Sequence, residues 1–255
     1  PGDILKDGKP FDTLQLAPLG RLVVPDMFHS YSWAYFYEIL HFFAPNLTLM
    51  RSGFYLIVFF AALCVLLVFL IARKIAGNIA GFFAGLMMAV NGAFLSRTLH
   101  PDNDAWVVFF PLIITWLFVS TIEVKSMLKI VLLSVTAGFF TGLYNFAWNG
   151  WWYIFDFLLA TIAAVFLYLV LINFNAIKKD IRLFYIDKSI RNIVVIGVIY
   201  FLSTAVFITL FLGWSSFRNS FFGPLSFPSI KAPVSSSLWP NVLTTVAELN
   251  EGSIN

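Results

Sequence analysis

The residues of this chain best suited to chemistry are acids in two short polar segments. The first is Ser96-Arg97-Thr98-Leu99-His100-Pro101-Asp102-Asn103-Asp104, which sets two carboxylates one residue apart immediately before an apolar run. Such a pair repels itself beside a low dielectric, and a hard divalent cation with oxygen ligands offsets that repulsion. The same acids also suit a helix start, because Asp102 or Asp104 can accept from the free N–H groups of a span opening at Ala105. Both readings can hold at once. The second segment is Trp239-Pro240-Asn241-Val242-Leu243-Thr244-Thr245-Val246-Ala247-Glu248-Leu249-Asn250, which alone reads as a surface loop with one acid.

A third feature is the turn Ala147-Trp148-Asn149-Gly150-Trp151-Trp152-Tyr153. Tryptophan and tyrosine are expected at any membrane interface. Asn149-Gly150, however, exposes backbone N–H groups near a new helix start, which suits an anionic head group. Asp156 follows within an apolar run, where an ionisable group is a functional candidate by default. Burial against a neighbouring helix or snorkelling to the interface is the plainer account, so Asp156 is left out of the site.

The elements that position these groups must live in a bilayer. The chain has 255 residues, of which 60% are hydrophobic and 11% charged, with a mean hydropathy of +0.87. A soluble domain is about half apolar and a quarter charged. The net charge of +3 is too small and too dispersed to argue for nucleic acid. The single cysteine, Cys64, sits in an apolar run, so an intrachain disulfide and a cysteine metal site are both excluded. Beginning at Pro1 and stopping in a polar stretch, the sequence reads as an internal fragment of a longer protein.

Roughly 20 apolar residues cross a hydrocarbon core of about 30 Å. Six stretches qualify, at 53–72, 75–95, 105–122, 127–147, 151–173 and 193–213. The expected fold is therefore an all-α integral membrane protein, a polytopic helical bundle of six spans with long non-cytoplasmic loops. Its parts are a first outer loop over 1–52, the bundle over 53–213, and a long outer loop over 214–255. With 1–52 outside, the inner loops carry nine Lys or Arg: Arg73, Lys74, Lys125, Lys129, Lys178, Lys179, Arg182, Lys188 and Arg191. The outer segments hold seven, and this positive-inside bias sets the orientation. The run Ile177-Lys178-Lys179-Asp180-Ile181-Arg182 reads as a topology anchor, with an anionic-lipid or partner site as the sharper alternative. The aromatic stretch Phe28–Phe43 is short and interrupted by polar residues, so an interfacial helix suits it better than a span. His29 and His41, twelve residues apart, do not share a helical face and read as polar tips in an aromatic belt. Asn46-Leu47-Thr48 matches a glycosylation acceptor triplet, although its nearness to the membrane argues against modification.

Taken in order, these segments resemble one family, the catalytic subunit of oligosaccharyltransferase in its archaeal single-subunit form. Lys6-Asp7-Gly8-Lys9-Pro10-Phe11-Asp12-Thr13-Leu14 and Ala17-Pro18-Leu19-Gly20-Arg21 look like its first outer loop. Ser96-Arg97-Thr98 with Asp102-Asn103-Asp104 looks like its second acidic motif, and Trp148–Tyr153 like its donor-contacting turn. Trp239-Pro240-Asn241 and Thr245-Val246-Ala247-Glu248 look like the T-I-x-E segment of its long fifth outer loop, with Val in place of Ile. The family's first acidic motif would precede Pro1, and its W-W-D-Y-G motif belongs to a C-terminal soluble domain; neither is in this sequence. The spacing from Arg97 to Asp102 is also shorter than the family's, which sets Arg97 aside. The fragment by itself is expected to be inactive.

The resemblance implies a bundle of the polyisoprenoid-dependent glycosyltransferase type. It implies transfer of a glycan from a polyisoprenoid (di)phosphate donor, a lipid-linked oligosaccharide, to Asn in N-x-Ser/Thr of an acceptor protein. It further implies Mg2+ or Mn2+ held by Asp102, Asp104 and Glu248, with these three acids catalytic. Asn149, Gly150 and Trp151 would bind the donor, and Glu248 and Thr245 the acceptor. The location implied is the cell membrane of an archaeon, with the site on the non-cytoplasmic face. Two other readings stand beside it. One is another polyprenyl-phosphate sugar transferase of the same architecture, such as a protein O-mannosyltransferase-like enzyme. The other is a transporter or flippase, which would want charged or broken helices near the midplane and repeat symmetry between halves.

Overall fold

The computed structural model describes residues 4–6, 9–12, 21–22, 27–100, 104–148, 150–179 and 187–222. The N-terminal segment contains a small antiparallel sheet, β1 (Ile4–Lys6), β2 (Lys9–Asp12) and β3 (Arg21–Leu22), in the order β1-β2-β3, with Ile4 opposite Phe11 and Phe11 opposite Leu22. Everything else described is helical. The helices are α1 (Met27–Phe43), α2 (Leu49–Ala89), α3 (Gly92–Thr98), α4 (Asp104–Glu123), α5 (Met127–Ala147), α6 (Trp152–Ile172), α7 (Phe174–Lys179), α8 (Lys188–Leu212) and α9 (Trp214–Ser220). Among the described residues, five helices are long and apolar enough to cross a membrane: α2, α4, α5, α6 and α8. The all-α membrane bundle expected from composition is the fold observed.

The first two expected spans, 53–72 and 75–95, need correcting in their boundaries. The chain stays helical through Arg73-Lys74 and reverses at Gly77, whose φ of 86° and ψ of −178° belong to a region open essentially to glycine alone. A methyl group on Gly81 would lie 2.8 Å from Phe69 O, and one on Gly85 would lie 3.3 Å from Phe69 Cβ. In a straight helix residues 69 and 85 would be about 24 Å apart. So α2 is a hairpin whose second arm folds back on the first, and small residues permit the close approach. That arm stops at Ala89, and α3 starts afresh with Asn91 Oδ1 accepting from Phe94 N–H at 2.8 Å. The expected span at 75–95 is thus the second arm plus α3, broken at Val90-Asn91.

Two ion pairs mark the two ends of α4. At its last residue, Glu123 accepts from Lys74 near the hairpin turn of α2. At its first residue, Asp104 faces Arg97, with the nearest N···O at 3.7 Å. A helix of 20 residues is about 30 Å long, the thickness of the hydrocarbon core. The last long helix, α8, begins at Lys188, earlier than the expected 193, because Asp187 Oδ1 accepts from Ser189 N–H at 2.8 Å and Ile190 N–H at 3.0 Å. It ends at Gly213, with φ of 87°, where the chain turns into α9. Seven residues expected in the last outer loop are therefore helical.

The tightest packing joins α5 to α8, which run parallel. A methyl on Gly138 would meet Ser203 Oγ at 2.0 Å and one on Gly142 would meet Phe207 Cβ at 2.8 Å. Beside them Thr141 Oγ1 and the Tyr200 hydroxyl, both buried, lie 3.1 Å apart. Small residues let helices touch where lipid gives no hydrophobic drive for association. Gly138→Val removes that approach, and overpacking of this kind costs about 1–3 kcal/mol. We expect the variant to unfold at a clearly lower temperature in detergent than the parent, whereas Ala160→Val, on the exposed side of α6, should leave the midpoint unchanged.

Candidate functional site

The end of the bundle that carries Asp104 is assembled around one aromatic side chain. Phe28, near the start of α1, meets Trp106 of α4 with ring centroids 5.0 Å apart, Phe110 at 5.2 Å, and Phe146 of α5 at 6.1 Å. Next to it, Trp106 Nε1–H donates to His29 Nδ1 at 2.9 Å. Trp106 is fully buried two residues after Asp104, so the first turn of α4 is fixed from below. Further along α1, Trp33 Nε1–H donates to Leu49 O at 2.9 Å and to Ser52 Oγ at 3.1 Å, at the start of α2. Gly53 makes room, since a methyl there would sit 2.1 Å from Trp33 Cζ2. Helix α1 therefore ties together the ends of α2, α4 and α5. His29 serves as a hydrogen-bond acceptor in this packing, and Thr48 of the acceptor-like triplet caps α2 by accepting from Arg51 N–H at 3.4 Å.

Asp104 stands on this scaffold as the first residue of α4, where the positive end of the helix dipole favours a carboxylate. Its side chain is 43% exposed and that of Arg97 is 64% exposed. The guanidinium thus neutralises part of the acid's charge without burying it. Arg97, which sequence spacing set aside, is the ion-pair partner of Asp104; its signal was its place in the last turn of the helix preceding the acid. Oxygen donors on a water-accessible carboxylate fit a hard cation such as Mg2+ or Mn2+. Among the described residues no three His, Cys, Asp or Glu side chains come together as a metal cluster. Asp102, Asn149, Thr245 and Glu248 lie outside the described residues.

The aromatic turn between α5 and α6 lies at the same end, since Phe28 bridges Trp106 and Phe146. Trp148 is exposed and stacks on buried Tyr144, with centroids 5.9 Å apart. Gly150 lies beneath its indole, and a methyl there would meet Trp148 Cη2 at 2.1 Å. Trp151, the third residue expected to bind the donor, faces inward. It is 3% exposed and packs on Phe155 at 5.7 Å, so its ring belongs to the core. Asp156, one residue on from fully buried Phe155, is half-buried on α6. Helix α9 closes the same end, with Phe217 lying 6.0 Å from Phe155 and 5.7 Å from Phe201. Four long helices, α4, α5, α6 and α8, separate Asp104 from Gly213. The segment leading toward Glu248 thus departs from the end where Asp104 stands.

A half-exposed ion pair contributes at most about 1 kcal/mol. Arg97→Ala should accordingly leave the thermal midpoint within a few degrees of the parent, as read by unfolding in detergent. A collapse of stability would mean that the pair holds α3 in place.

Comparison with known proteins supplies the remaining finding. The family model described as "Oligosaccharyl transferase STT3, N-terminal" matches residues 2–255, and the chain belongs to that family. A dolichyl-phosphooligosaccharide-protein glycotransferase of Methanococcus voltae is 26% identical over 272 residues, covering 100% of this chain and 29% of the relative. A protein of the same name from Methanocaldococcus jannaschii is 28% identical over 109 residues, covering 42% of this chain and 11% of the relative. The chain therefore spans under a third of the length of these curated relatives.

Proposed function

Given that membership, we propose that this chain forms part of the membrane domain of an oligosaccharyltransferase, a metal-dependent enzyme of protein N-glycosylation. The donor is a glycan on a polyisoprenoid (di)phosphate and the acceptor is Asn in N-x-Ser/Thr. The observation that carries the reading is Asp104. It is a water-accessible carboxylate at the mouth of an apolar bundle, on the end where the aromatic turn and α9 also lie. A transporter would want its polar groups near the midplane. The paired acid here sits at the end of a span instead, as a transferase joining a lipid-borne donor to a water-borne acceptor requires.

In the reaction the acceptor amide nitrogen bonds to C1 of the first sugar as the bond from C1 to the phosphate oxygen breaks. The polyisoprenoid (di)phosphate leaves with that electron pair, and one amide proton passes to a carboxylate or to water. The amide is a poor nucleophile because its lone pair is delocalised into the carbonyl. Carboxylates that accept its N–H hydrogens hold it turned toward the sugar, a charge-assisted contact. Asp102, Asp104 and Glu248 are the residues we assign to hold Mg2+ or Mn2+, and Glu248 also reaches the acceptor amide. When bound, the cation neutralises the charge that builds on the departing phosphate. Thr245 lies on the acceptor side. Asn149, Gly150 and Trp151 are the residues we assign to the donor's phosphate, the first two through backbone and amide donors and Trp151 by anchoring the turn from within the core, with the exposed Trp148 over Gly150. The outer face is the face we assign to the site, since the opposite end carries the basic loops.

The test uses the full-length protein with a fluorescent N-x-Thr peptide and a lipid-linked donor. EDTA should abolish transfer and added Mn2+ or Mg2+ restore it. Asp102→Ala and Glu248→Gln should each slow transfer by at least about 100-fold, or about 2.7 kcal/mol of barrier. Full activity in either variant would remove that residue from the site.

A further inference from the structure

The end of the bundle opposite Asp104 is strongly basic, and its acids are already engaged. On the hairpin turn of α2 stand Arg73 and Lys74. The turn between α4 and α5 carries Glu123, Lys125 and Lys129, and the connection from α6 to α8 carries Lys178, Lys179, Asp187, Lys188 and Arg191. Counting described residues, that is eight cations against two acids, a difference of six. At the other end the helices carry Arg51, Arg97 and Arg218 with Glu38, Asp104 and Asp156, three against three. Glu123 is occupied by Lys74, and Asp187 is occupied in capping α8. No described acid at the basic end remains to neutralise Arg73, Lys125, Lys129 or the lysines of α7 and α8, all of which are exposed.

Helix register gathers these charges at one end. Because α5 and α8 run parallel with Gly138 beside Ser203 and Gly142 beside Phe207, Lys129 near the start of α5 is level with Val194, about one turn further into the bundle than Arg191. The ion pair to Glu123 brings the hairpin turn of α2 to the same end. Exposed apolar side chains stand among the cations: Ile75 at 73%, Leu128 at 69% and Phe174 at 55% exposure. Long basic stems beside apolar rings are the pattern of side chains that reach from acyl depth into a layer of headgroups. A topology anchor needs only an excess of positive charge. Here seven exposed cations at one end of the bundle have no described acid that is not already engaged, and apolar neighbours direct them to the lipid boundary.

We propose that this rim binds the anionic phosphate headgroups of phospholipids in the adjacent leaflet, with Lys178, Lys179, Lys188 and Arg191 at its centre. Clusters of this size next to the ends of spans attract anionic lipid. The proposal concerns the face remote from the transfer chemistry and stands independently of it.

The experiment equilibrates the full-length protein with equal amounts of phosphatidylglycerol and phosphatidylcholine in detergent, then measures retained lipid by native mass spectrometry. The parent should retain phosphatidylglycerol over phosphatidylcholine by about five-fold or more. Neutralising Lys178, Lys179 and Lys188 to Gln should bring the ratio near one, while changing the same three to Arg should preserve it. The Arg variant and the parent keep the test valid even if the Gln variant inserts poorly. Equal retention of the two lipids by the parent would overturn the proposal. So would an undiminished preference in a folded Gln variant, or displacement of the lipid by equimolar inorganic phosphate.

Discussion

Inside hydrocarbon every backbone N–H and C=O must find a partner within its own segment, so the chain can cross only as whole helices. Each crossing moves it to the opposite boundary, and the parity of crossings decides which loops share water. The rest of the structure depends on this constraint. Between Asp104 and Gly213 there are four long helices, an even number, so the acidic turn and the start of the final segment come to the same end. The ion pairs at the two ends of α4 show how sharply that boundary is drawn, with Arg97 and Asp104 at one and Lys74 and Glu123 at the other.

What keeps the acidic end in place is aromatic packing by α1 more than charge. Phe28 and His29 hold Trp106, and Trp33 holds the first turn of α2. A polar side chain at a span's end gains little from an exposed partner, whereas a buried ring with a satisfied N–H fixes the helix beneath it. The division of labour suits a transferase of the family to which the chain belongs. Rigid aromatic contacts set the position of Asp104, leaving its carboxylate open to water and to whatever ligand it takes. The aromatic turn repeats the arrangement, with Trp151 and Phe155 buried while Trp148 is exposed over Gly150.

Much of this was readable from sequence because lipid simplifies the code. A run of apolar residues longer than the hydrocarbon is thick must be a span, and α4, α5 and α6 fall within a residue or two of the expected ranges. The misreadings have physical causes. Arg73-Lys74 looks like a loop because it is charged, yet the helix continues until a residue can take positive φ, and only Gly77 does. Lys188 looks like part of a connection, but Asp187 caps the helix ahead of it. The break at Asn91 is hidden in an apolar stretch, because one asparagine capping a short helix carries little signal. Arg97 was invisible as a partner because motif spacing says nothing about how the end of α3 returns to α4. The burial of Trp151 carried no signal, because an interfacial belt accounts for any tryptophan near a turn, whether its ring points out or in.

The account rests most heavily on Glu248 and the aspartate pair meeting at one face. The direct measurement is the distance between spin labels on cysteines introduced at His100 and Asn250 of the full-length protein, with the acceptor peptide and Mg2+ present. The native Cys64 is buried and should not compete for label. A shared site predicts a separation well below the roughly 30 Å thickness of the hydrocarbon core. A separation at or beyond that thickness, unchanged by acceptor and cation, would contradict it.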